Sequence, residues 1–168
     1  MENDFFDNLQ GRIVLVGLGN PLLGDDGAGP ALIAEINKRI KPSENHINVP
    51  FFRLKGCLFI DAGETPENYL GKIVADNPDT VLLVDAADFK SVPGALKMID
   101  LKDIRGDGLS THNSSVKLIA DYIMNETGAK VLFLGIQKKS IIMGEDLSKP
   151  VKKAIRRIAD AIMNLENH

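Results

Sequence analysis

The stretch RIVLVGLGNPLLGDDGAGPALIAEINKRI, residues 12–40, passes from an aliphatic run through a glycine-rich turn into helical spacing. Consecutive apolar positions are what a strand covered on both faces requires. Further apolar runs follow: FFRLKGCLFIDA (51–62), TVLLVDA (80–86), ALKMIDL (95–101) and KVLFLGI (130–136). Between them lie helical patterns at 29–40, 66–76, 113–126 and 147–166. In the last, Val151, Ile155, Ile158, Ile162 and Leu165 make one apolar stripe. Strand and helix alternate throughout, without repeats or a linker. This pattern predicts a single α/β domain over 1–168, with residues 1–11 as an N-terminal extension. Its core is a twisted, mostly parallel sheet of five to six strands sandwiched between helix layers. ALKMIDL has no helix before it and is expected at the sheet edge.

The composition narrows the function. With 168 residues and a net charge of -3, the chain is one domain's length and carries no cationic excess for nucleic acid. The one basic cluster, KPVKKAIRR (149–157), has helical spacing and reads as a solvated helix face. A single cysteine, Cys57, excludes an intramolecular disulfide and a cysteine metal cage, and within GCLFI it reads as a buried, inert thiol. No segment has the apolar length of a membrane span and MENDFFDNLQGR does not suit a signal peptide, so a cytoplasmic location is expected.

Open parallel sheets bind ligands beyond the carboxyl ends of their strands. That rule singles out GNPLLGDDG after the first run, DAGETPE after the second, DAAD after the third, and STHN (110–113) before a helix. At a helix start one of the adjacent aspartates can cap while its neighbour faces the crevice. Either Asp25 or Asp26 can be that cap, leaving the other to the crevice. Asp85 ends VLLV, where a turn former is not needed, whereas Asp88 suits a loop contact. His112 lies in a glycine-rich loop with Asn113 or Ser114 placed to cap the next helix. His46 sits in a polar loop, and His168 is the last residue. Asp26, Asp85 and His112 form an O,O,N set from three loops. Such a set suits nickel, iron, manganese or zinc, and equally suits acid–base hydrolysis with two carboxylates flanking a water. A phosphate cradle fits poorly, because the turn lacks G-x-G-x-x-G spacing and the aspartates repel phosphate. No G-x-S-x-G elbow marks a serine nucleophile.

GLGNPLLGDDGAGP (17–30), VDAAD (84–88) with PGALKMID (93–100), STHN (110–113) and VLFLGIQ (131–137) resemble the [NiFe]-hydrogenase maturation proteases. The likeness is greatest to the type serving formate-hydrogenlyase hydrogenases. It implies a phosphorylase/hydrolase-like fold. It also implies an endopeptidase that removes the C-terminal extension of the hydrogenase large-subunit precursor after nickel insertion. The family's nickel-contacting positions fall by motif on Asp26, Asp85 and His112, the expected catalytic and metal-reading residues. Asn20, Asp25, Gly63, Glu64 and Asp88 would line the substrate cleft. Nickel would arrive with the precursor, the partner. No nucleic acid or membrane is expected as a partner, and the protein is expected to be a monomer. VGLGNP also resembles the opening of peptidyl-tRNA hydrolase, but the histidine that should follow it closely is absent. A non-catalytic nickel-site checkpoint that binds precursor without cutting is the third reading.

Overall fold

The computed structural model describes residues 6, 9–40, 49–101 and 113–164. Strand β1 (Ile13–Leu18) is buried at every position and leads through a short 3-10 turn at Gly24–Gly27 into α1 (Ala28–Ile40). There follow β2 (Phe51–Leu54), β3 (Cys57–Gly63), a second 3-10 turn at Pro66–Tyr69 and α2 (Leu70–Ala75). The chain continues through β4 (Thr80–Ala87), β5 (Leu96–Asp100), α3 (Asn113–Thr127), β6 (Lys130–Gln137) and α4 (Lys149–Asn164).

The strands form one six-stranded sheet in the order β2-β3-β1-β4-β6-β5. The four central strands run parallel, and each edge strand pairs antiparallel with its neighbour. The sheet is therefore mixed, with the parallel character confined to its centre. ALKMIDL supplies β5 at the edge, as its lack of a preceding helix predicts. The run 51–62, read as one strand, is instead a hairpin. Lys55 and Gly56 take φ values of 49° and 81°, and Leu54 pairs with Cys57, the geometry of a two-residue primed turn. Phe52 stacks on Phe59 across the pair with ring centroids 5.1 Å apart, which fixes the register. A Lys-Gly turn carries less signal than Asn-Gly, so continuous apolarity concealed it.

Side-chain alternation along each central strand assigns the helices to faces. Leu15, Leu82, Val84 and Leu134 pack beneath α1 and α4, with Leu32, Ile36, Ile155 and Ile158 opposite them. Val14, Val16, Leu83 and Phe133 pack beneath α2 and α3, against Ile73, Val116, Ile119 and Ile123. Lys152, Lys153, Arg156 and Arg157 cover the outer side of α4. Phe6 and Leu9, within the stretch read as an extension, are buried in the α1–α4 layer.

Close packing explains much of the glycine content. A Cβ on Gly29 would collide with the Leu18 backbone and lie 2.6 Å from the Val84 carbonyl oxygen. The glycine lets α1 begin directly against β1 and β4. After β1 the chain turns toward β3, and after β4 it turns toward β6, so these two strand ends flank the point where connection direction reverses. Ligands bind at that point in open α/β sheets.

Candidate active site

Asp85 belongs to the parity set of Val81 and Leu83, on the α2–α3 side of β4. It is completely buried, and neither carboxyl oxygen has a hydrogen-bond partner among the described residues. Its pKa is pushed up to about 8, first by burial and then by the negative charge of Asp26. The Ala86 amide and the Lys138 ammonium offset only part of that rise. An unsatisfied carboxyl in a core costs stability, and such costs concentrate at sites of function.

Asp26 stands on the buried 3-10 turn, and its Oδ2 accepts the Asn20 N–H at 2.9 Å. Gly19 lies between the two acids. Its φ is +123°, and an added Cβ would run into the Asp26 carbonyl oxygen and lie 3.3 Å from Asp85 Oδ1. The glycine-rich turn therefore lets the backbone fold over itself and bring Asp26 near enough to act electrostatically on Asp85, in place of the donors a phosphate would need. Gly19→Ala is expected to destabilise by about 2–4 kcal/mol, from positive-φ strain plus the collision. A thermal melt checks the loss, and a variant that melts with the wild type contradicts this close approach.

Leu18, Gly19, Gly63, Glu64, Pro66, Asp85 and Val116 line a small pocket here. Gly63 and Glu64 thus stand on the rim anticipated from the sequence. Val116 comes from the first turn of α3, which begins at Asn113, the residue after His112. His112 itself lies outside the described residues. Among the described residues no group of three or more His, Cys, Asp or Glu side chains is gathered to hold a metal. Two of the three anticipated residues therefore meet at the carboxyl ends of β1 and β4, and the third precedes the helix that closes the pocket. A larger hollow of about 380 Å³ opens at the amino ends of the strands, lined in part by Arg12, Cys57 and Asp79. Burial raises the Cys57 pKa there, which keeps it a thiol.

Other residues assigned to the cleft do different work. Asp25 neither caps α1 nor reaches the pocket: no side chain caps the 3-10 turn, and Asp25 is 1% exposed. Its carboxylate accepts the N–H groups of Lys139 (2.7 Å), Ser140 (3.2 Å) and Ser148 (2.7 Å) and the Ser148 hydroxyl (2.9 Å). It fastens the 138–148 loop to the loop after β1. Asp88 is half-exposed and holds its own loop, accepting from Lys90 Nζ at 2.8 Å and Gln137 Nε2 at 3.3 Å. The Lys90 ammonium, with help from Gln137, lowers its pKa to about 2. Asn20 Oδ1 accepts the Leu22 N–H at 2.8 Å, a loop-holding contact. Gln137 was not anticipated. Buried at the end of β6, its Oε1 accepts the N–H groups of Phe89 and Ser91, which shapes the loop beyond Asp85. Its only sequence signal is an amide ending the apolar run VLFLGI.

A family model described as "Hydrogenase maturation protease" matches residues 30–165. The chain belongs to the hydrogenase maturation protease family. The match begins after Asp26, so the turn carrying both aspartates rests on the wider likenesses. The Escherichia coli K12 hydrogenase 3 maturation protease is 31% identical over 156 residues, covering 92% of this chain and 91% of that one. The structure of the [NiFe] hydrogenase maturation protease HycI from Thermococcus kodakarensis aligns with a TM-score of 0.77 at 33% identity. That alignment covers 96% of this chain and 95% of that one. The Escherichia coli endopeptidase HybD shares the fold at 19% identity and a TM-score of 0.68, covering 90% of each chain. A hydrogenase maturation protease is a hydrolase of the endopeptidase class, which sets the peptidyl-tRNA hydrolase reading aside. No helix among the described residues is long and apolar enough to cross a membrane.

Proposed function

We propose that this maturation protease removes the C-terminal extension of a [NiFe]-hydrogenase large-subunit precursor once nickel has been inserted. We further propose that it reads the precursor-bound nickel through Asp26, Asp85 and His112. The observation that carries this reading is Asp85: a fully buried carboxyl without a hydrogen-bond partner, in a pocket beside a second acid. Acquiring a cation is the simplest way to satisfy the Asp85 carboxyl. Oxygen donors from two aspartates with one imidazole suit a divalent metal of intermediate hardness.

Asp85 is mostly protonated in the free protein at neutral pH, and must give up that proton to bind a metal. Arrival of the precursor's nickel lowers the cost of ionising Asp85 and draws the scissile segment into the crevice. Nickel held there would polarise the peptide carbonyl, while a carboxylate of the pair accepts a proton from the attacking water. Nickel is here part of the substrate.

The test is to mix the protein with nickel-loaded and nickel-free precursor and follow precursor mass. Trimming of the loaded form alone is expected. Equal trimming of both removes the nickel-reading role, and intact loaded precursor removes the protease assignment.

A further inference from the structure

Gly135 is the partner of Asp85 in the β4–β6 ladder, and Lys97 of β5 pairs with Gly135 from the other side. Residues in register share a face of the sheet, so Asp85 and Lys97 flank a glycine on the α2–α3 side. The ring of Phe89 fills the place that a Gly135 side chain would take. A Cβ built there would lie 3.5 Å from Phe89 Cε1, 3.3 Å from Phe133 Cε1 and 3.1 Å from Ala87 Cβ. Phe89 is half-buried against the cluster that holds Phe133 and Ala87, and the Lys97 ammonium stands 5.9 Å from its ring centroid. Cation–π attraction at that distance holds the outer side of the ring. Phe89 thus stands beside Asp85 in the direction of β6, whereas Leu18, Gly19, Gly63 and Glu64 line the pocket from the direction of β1 and β3.

The loop that carries Phe89 is held from outside itself. Lys90 takes a φ of 59°, a costly conformation for a residue with a side chain, which persists only where the surroundings enforce it. The buried Gln137 amide supplies that enforcement. Its Oε1 accepts the N–H groups of Phe89 (2.9 Å) and Ser91 (3.2 Å), and its Nε2 donates to Asp88 Oδ1 (3.3 Å) and the Lys138 carbonyl (3.1 Å). Both lone pairs and both N–H groups of the amide are used. The main chain of Gln137 takes the far end of the loop. Gly94 donates its N–H to the Gln137 carbonyl, and Gln137 donates its N–H to the Ala95 carbonyl, each at 2.8 Å. One residue therefore clasps the loop on either side of its strained lysine.

We infer that Phe89 is the wall that closes the Asp85 recess to water from the β6 side, and that Gln137 is the positioning residue that sets this wall. Glycine at 135 leaves the room, Phe89 fills it, and Gln137 fixes Phe89 in place. Water kept out there cannot screen the charges that meet in the pocket. The part of the wall in trimming rests on the function proposed above, whereas its existence does not.

Two measurements on the full chain test it. Carbodiimide with glycine ethyl ester labels the carboxyl groups that solvent reaches, and peptide mass spectrometry reads Asp85, with the exposed Glu67 as control. Trimming of nickel-loaded precursor gives KM and kcat, and a melt of each variant ensures that folded protein is compared. Phe89→Ala should label at Asp85 about fivefold faster or more, and its kcat should fall about tenfold with KM within about threefold. Phe89→Leu, close in volume, should stay within about threefold of wild type in both readouts. Gln137→Glu turns two donors into acceptors that face Asp88 Oδ1 and the Lys138 carbonyl, and should behave as Phe89→Ala does. Adding Asp88→Asn returns a donor to that contact and should bring both readouts back to within about threefold of wild type. If Phe89→Ala does not fold, Gln137→Glu and its rescue carry the test.

Asp85 labelling in Phe89→Ala equal to that of wild type overturns the wall. Equal labelling in Gln137→Glu overturns the positioning role. Faster labelling with kcat unchanged overturns the part in trimming, and so does a rise in KM alone, which would make Phe89 a substrate contact. Wild type that leaves loaded precursor intact overturns the proposed function, and the labelling then decides the wall by itself.

Discussion

Asp85→Asn is expected to raise the melting temperature of the free protein while stopping precursor trimming. The two effects share one cause. In the folded chain the Asp85 pKa is pushed up to about 8 from an ordinary value of 3.8, chiefly by burial. The folded state keeps a proton that the unfolded chain releases. This contribution to stability is fully present below about pH 4 and is lost as pH rises toward 8, by at most about 1.4 kcal/mol per pH unit. Asparagine fills the same space without titrating, so its slope over that window should be flatter. At pH 7 the variant should gain roughly 2–4 kcal/mol, or about 5–10 °C in a domain of this size. Cleavage should fall by about 10²-fold or more, because a carboxamide can neither take the water's proton nor bind a divalent metal as a carboxylate does. Melts from pH 4 to 9, beside a trimming assay, check both arms. A variant no more stable than wild type at pH 7.5 would show that Asp85 is satisfied in the free protein.

Asp25→Ala should act in the opposite direction on stability. It removes a buried carboxylate and strands the N–H groups of Lys139, Ser140 and Ser148. Breaking one partner out of a buried charged network costs about 3–5 kcal/mol, which corresponds to a melting point roughly 10 °C lower. Urea melts would give the size of the loss, and a change below about 1 kcal/mol would mean that water replaces the carboxylate without cost. Asp25 and Asp26 thus differ in kind although they adjoin in sequence: one holds loops, the other faces Asp85.

The sheet was largely legible, because its central strands are buried on both faces and read as unbroken aliphatic runs. Asp85 was legible for the same reason, since a carboxylate closing such a run has no structural excuse. Asp25 was not. Its partners lie 114 to 123 residues downstream, and the local pattern around it favours a helix cap. Gln137 escaped notice likewise: the loop it organises lies 46 to 48 residues away, across a neighbouring strand. Side-chain roles set by distant backbone groups leave no local periodicity to read. The hairpin at 51–63 was hidden by the opposite problem, an apolar pattern too continuous to show its turn.

The 3-10 turn at Gly24–Gly27 winds about three residues per revolution, so neighbouring side chains on it point about 120° apart. That angle alone separates the loop-holding carboxylate from the one facing Asp85. Adding or deleting one residue between Gly19 and Asp25 would turn one acid into the other's direction and the other acid into a third, even with every chemical group retained. This segment should therefore tolerate changes of letter better than changes of length, and its spacing is as much a part of the site as its carboxylates.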